Sequence, residues 1–322
     1  MNGGAYVTSF SMGFCSSSCF FLPPHRLTGA VGIPNIQEYH IYLVARAPRA
    51  RLVPGSLEDT GDGPSVRYRI GHEFAQETHR LHLPPSWGVT TLDTPDGAGL
   101  TFHLVTKHGE LRGDFPLLLM KSSERRELRD HEVVYVGQAY GAEGSRNVLD
   151  RLLKHETLQR IVAENAIACP STDILVYGFT YTGNDQLFMM FDGTDKSLIG
   201  DQRDDERRNR ALANPPTDKQ MTQIVEAALI RYFQPEYNKK FRSLFPGRHH
   251  RFLDDLRDLD HDGFIVEINT EDLKTRLYSG TASAGQHHIV KVKLTNRITH
   301  PVFSFFRLMK DVGLDPTSGP AY

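Results

Sequence analysis

One segment of this chain marks both of its own ends and constrains the fold around it. From Met221 the residues Ile224, Val225, Ala228, Leu229 and Tyr232 share one helical face, Thr217 or Asp218 stands where an N-cap is needed, and Pro235 ends the run. A second helical period, Val148, Leu149, Leu152 and Leu153, follows Ser145, which is placed to cap it. Elsewhere the chain is strand-like, with short runs at 40–44, 66–70, 101–105, 173–181, 264–268 and 289–294 separated by Pro, Gly and Asp clusters. Two helices set among many short strands predict an α+β fold.

At 322 residues the chain has the length of two ordinary domains or one large one. The punctuation predicts a flexible N-terminus over 1–35, a β-rich module over 36–112 that would serve target recognition, a central domain over 113–245 and a β-rich C-terminal extension over 246–322. Within the central domain, residues 115–120 read as a strand forming a hairpin with 133–136 around the charged loop 121–130. Residues 186–191 read as the partner of 173–181 around Gly183-Asn184-Asp185, and 201–210 as a loop or short exposed helix.

Thirty-seven Lys and Arg against 39 Asp and Glu give a formal charge of -2, which excludes binding nucleic acid through an overall basic coat. Cys15, Cys19 and Cys169 are too few for a disulfide framework or a four-ligand zinc site, so reduced intracellular thiols are expected. The N-terminus lacks the basic start and long apolar stretch of a secretory signal, and no run is long enough to span a bilayer. The expectation is a cytoplasmic protein with no membrane partner.

Chemistry-bearing residues gather in the central block. Val133-Val134-Tyr135-Val136-Gly137-Gln138 reads as a strand ending in Tyr-x-Gly. The following helix carries Arg151 and His155, four positions apart and so on one face. Glu226 is the only acid between Asp218 and Glu236 on the later, otherwise apolar helix, where a carboxylate needs a partner such as a divalent cation. A phenol, a guanidinium, an imidazole and a carboxylate together suit a phosphodiester. Taken singly, each has a blander reading: a strand aromatic, a solvated face shared with Lys154 and Glu156, a carboxylate paired with Arg231.

In these residues the chain resembles the GIY-YIG nuclease superfamily. Tyr135-Val136-Gly137 is similar to the second signature tripeptide, Arg151 and His155 to the helix-borne pair, and the stretch from Glu226 through Pro235 to Asn238 to the metal-binding helix and closing Asn. The resemblance implies a small sheet flanked by helices and a divalent-metal-dependent endonuclease, using Mg²⁺ or Mn²⁺, with DNA ahead of RNA as its nucleic-acid partner. A restriction or defence setting and a homodimer are compatible with it. It implies that Glu226 holds the metal, Arg151 neutralises charge on the phosphorus, Tyr135 and His155 handle the attacking water, and Gly137 and Asn238 organise the site. The first signature tyrosine should fall within 115–120, where there is none. The lookalike His40-Ile41-Tyr42 would place almost a hundred residues inside a hairpin, so on loop length it is set aside. The alternative that follows is a degraded module that binds nucleic acid without cleaving it.

Past the closing Asn, Lys239, Lys240, Arg242, Arg248 and Arg251 alternate with Phe241, Phe245 and Phe252, a pattern suited to tracking phosphates and stacking bases. The run 258–263 resembles half a calcium loop, but Asn269 stands where its closing Glu belongs, and an Asp-Gly turn is expected instead. No zinc site is expected from the paired histidines at 249–250 and 287–288.

Overall fold

Apart from residues 115–120, the expected strand-like runs lie in strands to within a residue, but they are joined in an order that local pattern does not disclose. The computed structural model describes residues 8–29, 33–71, 76–122, 125–141, 148–181, 185–191, 202–247, 249–294 and 317–318. The chain starts with β1 (Thr8–Cys15), β2 (Ser18–Leu22) and β3 (Tyr39–Pro48). Then come β4 (Ala50–Leu52), β5 (Glu58–Asp59), β6 (Pro64–Ile70), β7 (Glu77–His82), β8 (Thr91–Asp93), β9 (Thr101–Thr106), β10 (Gly109–Asp114) and helix α1 (Phe115–Ser122). Strand β11 (Asp130–Gln138) leads to α2 (Val148–Leu152), α3 (Glu156–Ala168), β12 (Thr172–Thr180) and β13 (Asp185–Phe191). Helices α4 (Gln202–Ala213), α5 (Asp218–Phe233) and α6 (Asp254–Asp258) precede β14 (Gly263–Asn269), β15 (Arg276–Tyr278), β16 (His287–Lys293) and β17 (Thr317–Ser318). The fold is α+β.

The central sheet has the order β15-β11-β3-β12-β2, with β3 antiparallel to both β11 and β12. A second sheet has the order β13-β1-β14-β16-β17. Helix α5 lies between the two. Its Ile224, Val225, Ala228 and Leu229 share one core with Ile41, Leu43 and Val136 of the central sheet and with Phe264, Val266 and Val290 of the second. This is why Ala227, Ile230 and Phe233, off the expected apolar stripe, are buried as well: a helix covered on both sides must be apolar nearly all round. Its N-terminus carries a full capping box, Thr217 Oγ1 accepting from the Gln220 amide while the Gln220 side chain accepts from the Thr217 N–H. The other face of the central sheet is covered by α2 and α3 through Val148, Leu152, Leu158 and Ile161.

Four sequence expectations need correction. Residues 8–22 are not a flexible lead-in: β1 is built into the second sheet and β2 edges the central one, because their alternating apolar residues Met12, Phe14 and Phe21 are buried there. Residues 115–120 form α1 rather than a strand, since a six-residue apolar run fits either period and here Phe115 and Leu119, one turn apart, both face a core. Strand β13 does pair, but with β1 and not with β12, whose two edges are already taken by β3 and β2. Of the run read as a loop or short exposed helix, residues 202–210 take the helical alternative as part of α4, but not the exposed one throughout, since Arg207 is fully buried.

The expected domain boundaries dissolve accordingly. Strand β3 belongs to the central sheet, and residues 49–129 form a domain inserted between β3 and β11, with its own core of Leu52, Val66, Tyr68, Leu104, Phe115 and Leu119. Its two ends leave the sheet side by side: Arg46 and Glu132 are cross-strand partners joined by an ion pair of 3.2 Å. Chain that packs against itself and returns to its starting point costs a hairpin little, however long it is. The C-terminal strands likewise complete both sheets instead of forming a separate extension. Among the described residues no helix is long and apolar enough to cross a membrane.

Candidate active site

The register of β3 on β11 sets Tyr42 opposite Gly137 and Tyr135 opposite Val44, across a bulge after Val133. His40-Ile41-Tyr42, set aside on loop length, is therefore the neighbour of Tyr135-Val136-Gly137, and the position expected to lack a tyrosine has one. The two phenol rings are 6.0 Å apart between centroids. Gly137 makes this closeness feasible by size: a Cβ there would fall 2.5 Å from Tyr42 Cζ and Oη and 2.8 Å from Tyr135 Cε1. Burial raises the pKa of both phenols, more strongly for Tyr42, while Arg151 pulls both down.

Helix α2 ends at Leu152, and His155 takes an extended conformation at the N-cap of α3, so Arg151 and His155 do not share one continuous helix face as the spacing predicts. The break carries the imidazole into the core against both phenols. Its Nε2 lies 3.3 Å from Tyr42 Oη, and its ring centroid 5.4 Å from that of Tyr135. Burial, reinforced by Arg151, lowers its pKa below the usual histidine value. A neutral ring protonated on Nδ1 would accept at Nε2 from the Tyr42 hydroxyl. Ser145, expected to cap this region, lies outside the described residues.

Glu226 projects from the middle of α5, and its Oε2 accepts from Gln138 Nε2 at 2.8 Å. Burial lifts its pKa to about 7, against the opposing pull of Gln138, Arg151 and Lys240. The Arg151 guanidinium thus acts on Tyr42, Tyr135, His155 and Glu226 alike, although its own side chain is exposed. Gln138 was legible only as the residue after Gly137; here it is the side-chain partner of the carboxylate, in place of the Arg231 of the blander reading.

Asn238 holds the strand in place. Among the described residues no strand lies beside the outer edge of β11 beyond Glu132, because β15 pairs only with residues 130–132. Asn238 Oδ1 accepts from the Val136 N–H and its Nδ2 donates to the Val136 carbonyl, both at 2.8 Å, while the Tyr237 N–H donates to the Val134 carbonyl. A primary amide offers the same donor and acceptor as a peptide group, so a buried Asn substitutes for the missing strand.

Tyr135, Gln138, Glu226, Lys239 and Lys240 line one open cleft of about 490 Å³. Arg160, which the sequence reading missed, also borders it and lies over the Tyr237 ring at 5.5 Å. The basic run divides in the structure. Lys239 and Lys240 are exposed at the mouth, and Arg251 is exposed beside Phe252, which lines the cleft. Arg242 is half-buried, its carbonyl accepting from Gln234 and Arg231, and Arg248 lies outside the described residues. Of the aromatics, Phe241 and Phe252 line the cleft, but Phe245 is buried behind them and unavailable to a base.

A cation at Glu226 fits the chemistry of the site. The carboxylate stands in the cleft with a neutral amide as its direct partner, and its raised pKa marks uncompensated charge. Among the described residues no group of three or more His, Cys, Asp or Glu is arranged for a metal. Mg²⁺, which keeps several waters and takes few protein carboxylates, needs no such group. The other candidate metal residues are committed elsewhere. Asp262 pairs at 3.1 Å with buried Arg207, Asp260 occupies a turn at φ +60°, and His250, His287 and His288 bond to Gly247, Glu267 and Tyr232.

No protein-family model matches this chain, and neither does any curated protein or any solved structure.

Proposed function

We propose that the chain is a divalent-metal-dependent endonuclease of GIY-YIG type that hydrolyses phosphodiester bonds in DNA. The observation that carries the reading is the convergence of Tyr42, Tyr135 and His155 with Arg151 and Glu226 beside a cleft rimmed by Lys239 and Lys240. Tyr42 beside Tyr135 supports this reading over the alternative of a module degraded by loss of its first tyrosine.

Water attacks the phosphorus in this mechanism, and the opposite P–O bond breaks. Both phenols are protonated at neutral pH, so neither receives the water's proton without giving up its own. Tyr135, which lines the cleft, takes the water's proton as it gives its own to Tyr42, and Tyr42 in turn gives its proton to neutral His155 across the 3.3 Å contact. Arg151 balances charge as it builds on the phosphate oxygens, where a planar guanidinium offers two donors at once. Glu226 would hold Mg²⁺ or Mn²⁺, and such an ion supplies Lewis-acid charge to the phosphate and the leaving oxygen. Lys239 and Lys240 hold the flanking backbone.

The test incubates plasmid DNA, single-stranded DNA and RNA with Mg²⁺ or Mn²⁺. Cleavage of DNA by the wild type that is lost in Glu226→Ala, Arg151→Ala and Tyr42→Phe is expected. Binding without cleavage under either metal, or undiminished turnover in those variants, overturns the proposal.

A further inference from the structure

The inserted domain presents an arrangement that its own stability does not explain. On the solvent face of β4, β6 and β7, Arg51 is the direct cross-strand partner of Arg69, and Arg67 of Arg80. Like charges directly opposite one another destabilise a sheet. Opposing carboxylates only partly offset them. Asp173 engages Arg51 at 2.6 and 2.8 Å, and a single Glu58 serves both Arg67 at 3.8 Å and Arg80 at 3.2 Å. Arg69 is exposed, and no carboxylate lies within ion-pair distance of it among the described residues. Exposed His82 and Thr78 complete the same face, while Val66, Tyr68 and Leu81 point into the core.

We infer that this arginine face grips the phosphate backbone of the DNA duplex at a distance from the cut. The identity of the polyanion rests on the nuclease reading; the face itself rests on the register and the charge. A chain with no overall positive charge concentrates here a surface complementary to a regular polyanion, and guanidinium groups suit its phosphates. Placement agrees. The insertion leaves β3 at Pro48, and the stretch from Tyr42 to Pro48 spans about 20 Å at ~3.3 Å per residue. A duplex must therefore extend well beyond the cleft to reach both surfaces.

The experiment measures binding in EDTA, where the strands stay whole, of a duplex of about 30 base pairs and one of about 10, across a salt series. The wild type should bind the longer duplex more tightly, with a log-affinity against log-salt slope steeper by about 2 to 3. Arg67→Ala/Arg69→Ala/Arg80→Ala should lose about tenfold or more on the longer duplex and close most of the difference in slope. A wild type with equal slopes on both duplexes overturns the inference, and that comparison needs no variant to fold. A folded triple variant with wild-type affinity also overturns it, as does a face that retains an acidic protein but not the duplex. Absence of cleavage under either metal would instead count against the nuclease reading and leave these binding results intact.

Discussion

Tyr42 and Tyr135 stand on adjacent antiparallel strands with ring centroids 6.0 Å apart, although a whole inserted domain separates them along the chain. The contact exists because the insertion folds on its own core and returns its ends together at the Arg46–Glu132 pair. The site and the inserted domain therefore sit at opposite ends of one hairpin.

The glycine between the phenols should not tolerate even one added carbon. Gly137→Ala places a methyl group 2.5 Å from Tyr42 Oη, and Tyr42 is buried on all sides, so its ring must shift and break the His155 contact. The overpacking is expected to cost about 1–3 kcal/mol. Cleavage should fall by roughly two orders of magnitude, since misplacing a reacting group by about 1 Å costs that much. Thermal unfolding and single-turnover cleavage read the two effects separately. Full activity in Gly137→Ala would mean the phenol pair does not need its observed spacing.

Asn238 should act through the backbone of β11. Removing its amide in Asn238→Ala strands the N–H and C=O of Val136, each buried and each costing about 1–3 kcal/mol when unsatisfied. Asn238→Asp keeps the acceptor but sets a carboxylate against the Val136 carbonyl, and it should be no better than alanine. Amide hydrogen exchange at Val136 is the direct readout. Protection there unchanged in either variant would remove the assigned role.

The parts of this architecture legible in the sequence are the locally encoded ones. Helix α5 carries its capping box, its apolar period and its stop within a single stretch of chain, and Glu226 and Asn238 are found by their spacing from it. The residues at 115–120 were not legible as helix because so short an apolar run satisfies both periods, and only contact with the Tyr68 ring decides. The break before His155 arises from tertiary demand: the ring is drawn to the phenols, and the helical spacing gives no sign of it. Pairing of β3 with β11 was visible as a lookalike and set aside, since loop-length statistics weigh against a partner so distant in sequence, while self-contained packing of the insertion removes that objection. Arg160 and Gln138 become site residues only through the packing of α3 and α5 on the sheet, which no local motif encodes.

Buried Arg207 offers a test of the second sheet's attachment. Its guanidinium donates to the Asp260 carbonyl and pairs with Asp262, where the half-calcium pattern lies. Arg207→Met removes the cation and leaves Asp262 buried opposite an apolar chain, a change expected to cost about 3–5 kcal/mol. Arg207→Met/Asp262→Asn should recover part of the loss, as no buried charge remains. Urea unfolding of the two variants measures this. A double variant less stable than the single one would show that Asp262 is held by something other than Arg207.

Glu226 links pH, stability and metal binding with a definite sign. Its pKa of about 7 in the folded chain lies above the ordinary 4.5 of a carboxyl, so between these values the folded state binds the proton more tightly than the unfolded one. This contribution is fully present below pH 4.5 and is lost as pH rises through about 7, at a cost on the order of 3 kcal/mol. Glu226→Gln carries no such proton, so without metal its Tm advantage over the wild type should be small at pH 5 and largest near pH 8. Adding Mg²⁺ at pH 8 should raise the Tm of the wild type and leave that of Glu226→Gln unmoved, because ionised Glu226 is the group that would hold the cation. Metal affinity and cleavage should rise together from pH 6 to 8 as this carboxyl ionises. A Tm difference between the two proteins that does not change with pH would overturn the raised pKa, and equal stabilisation of both by Mg²⁺ would show that the cation is held elsewhere.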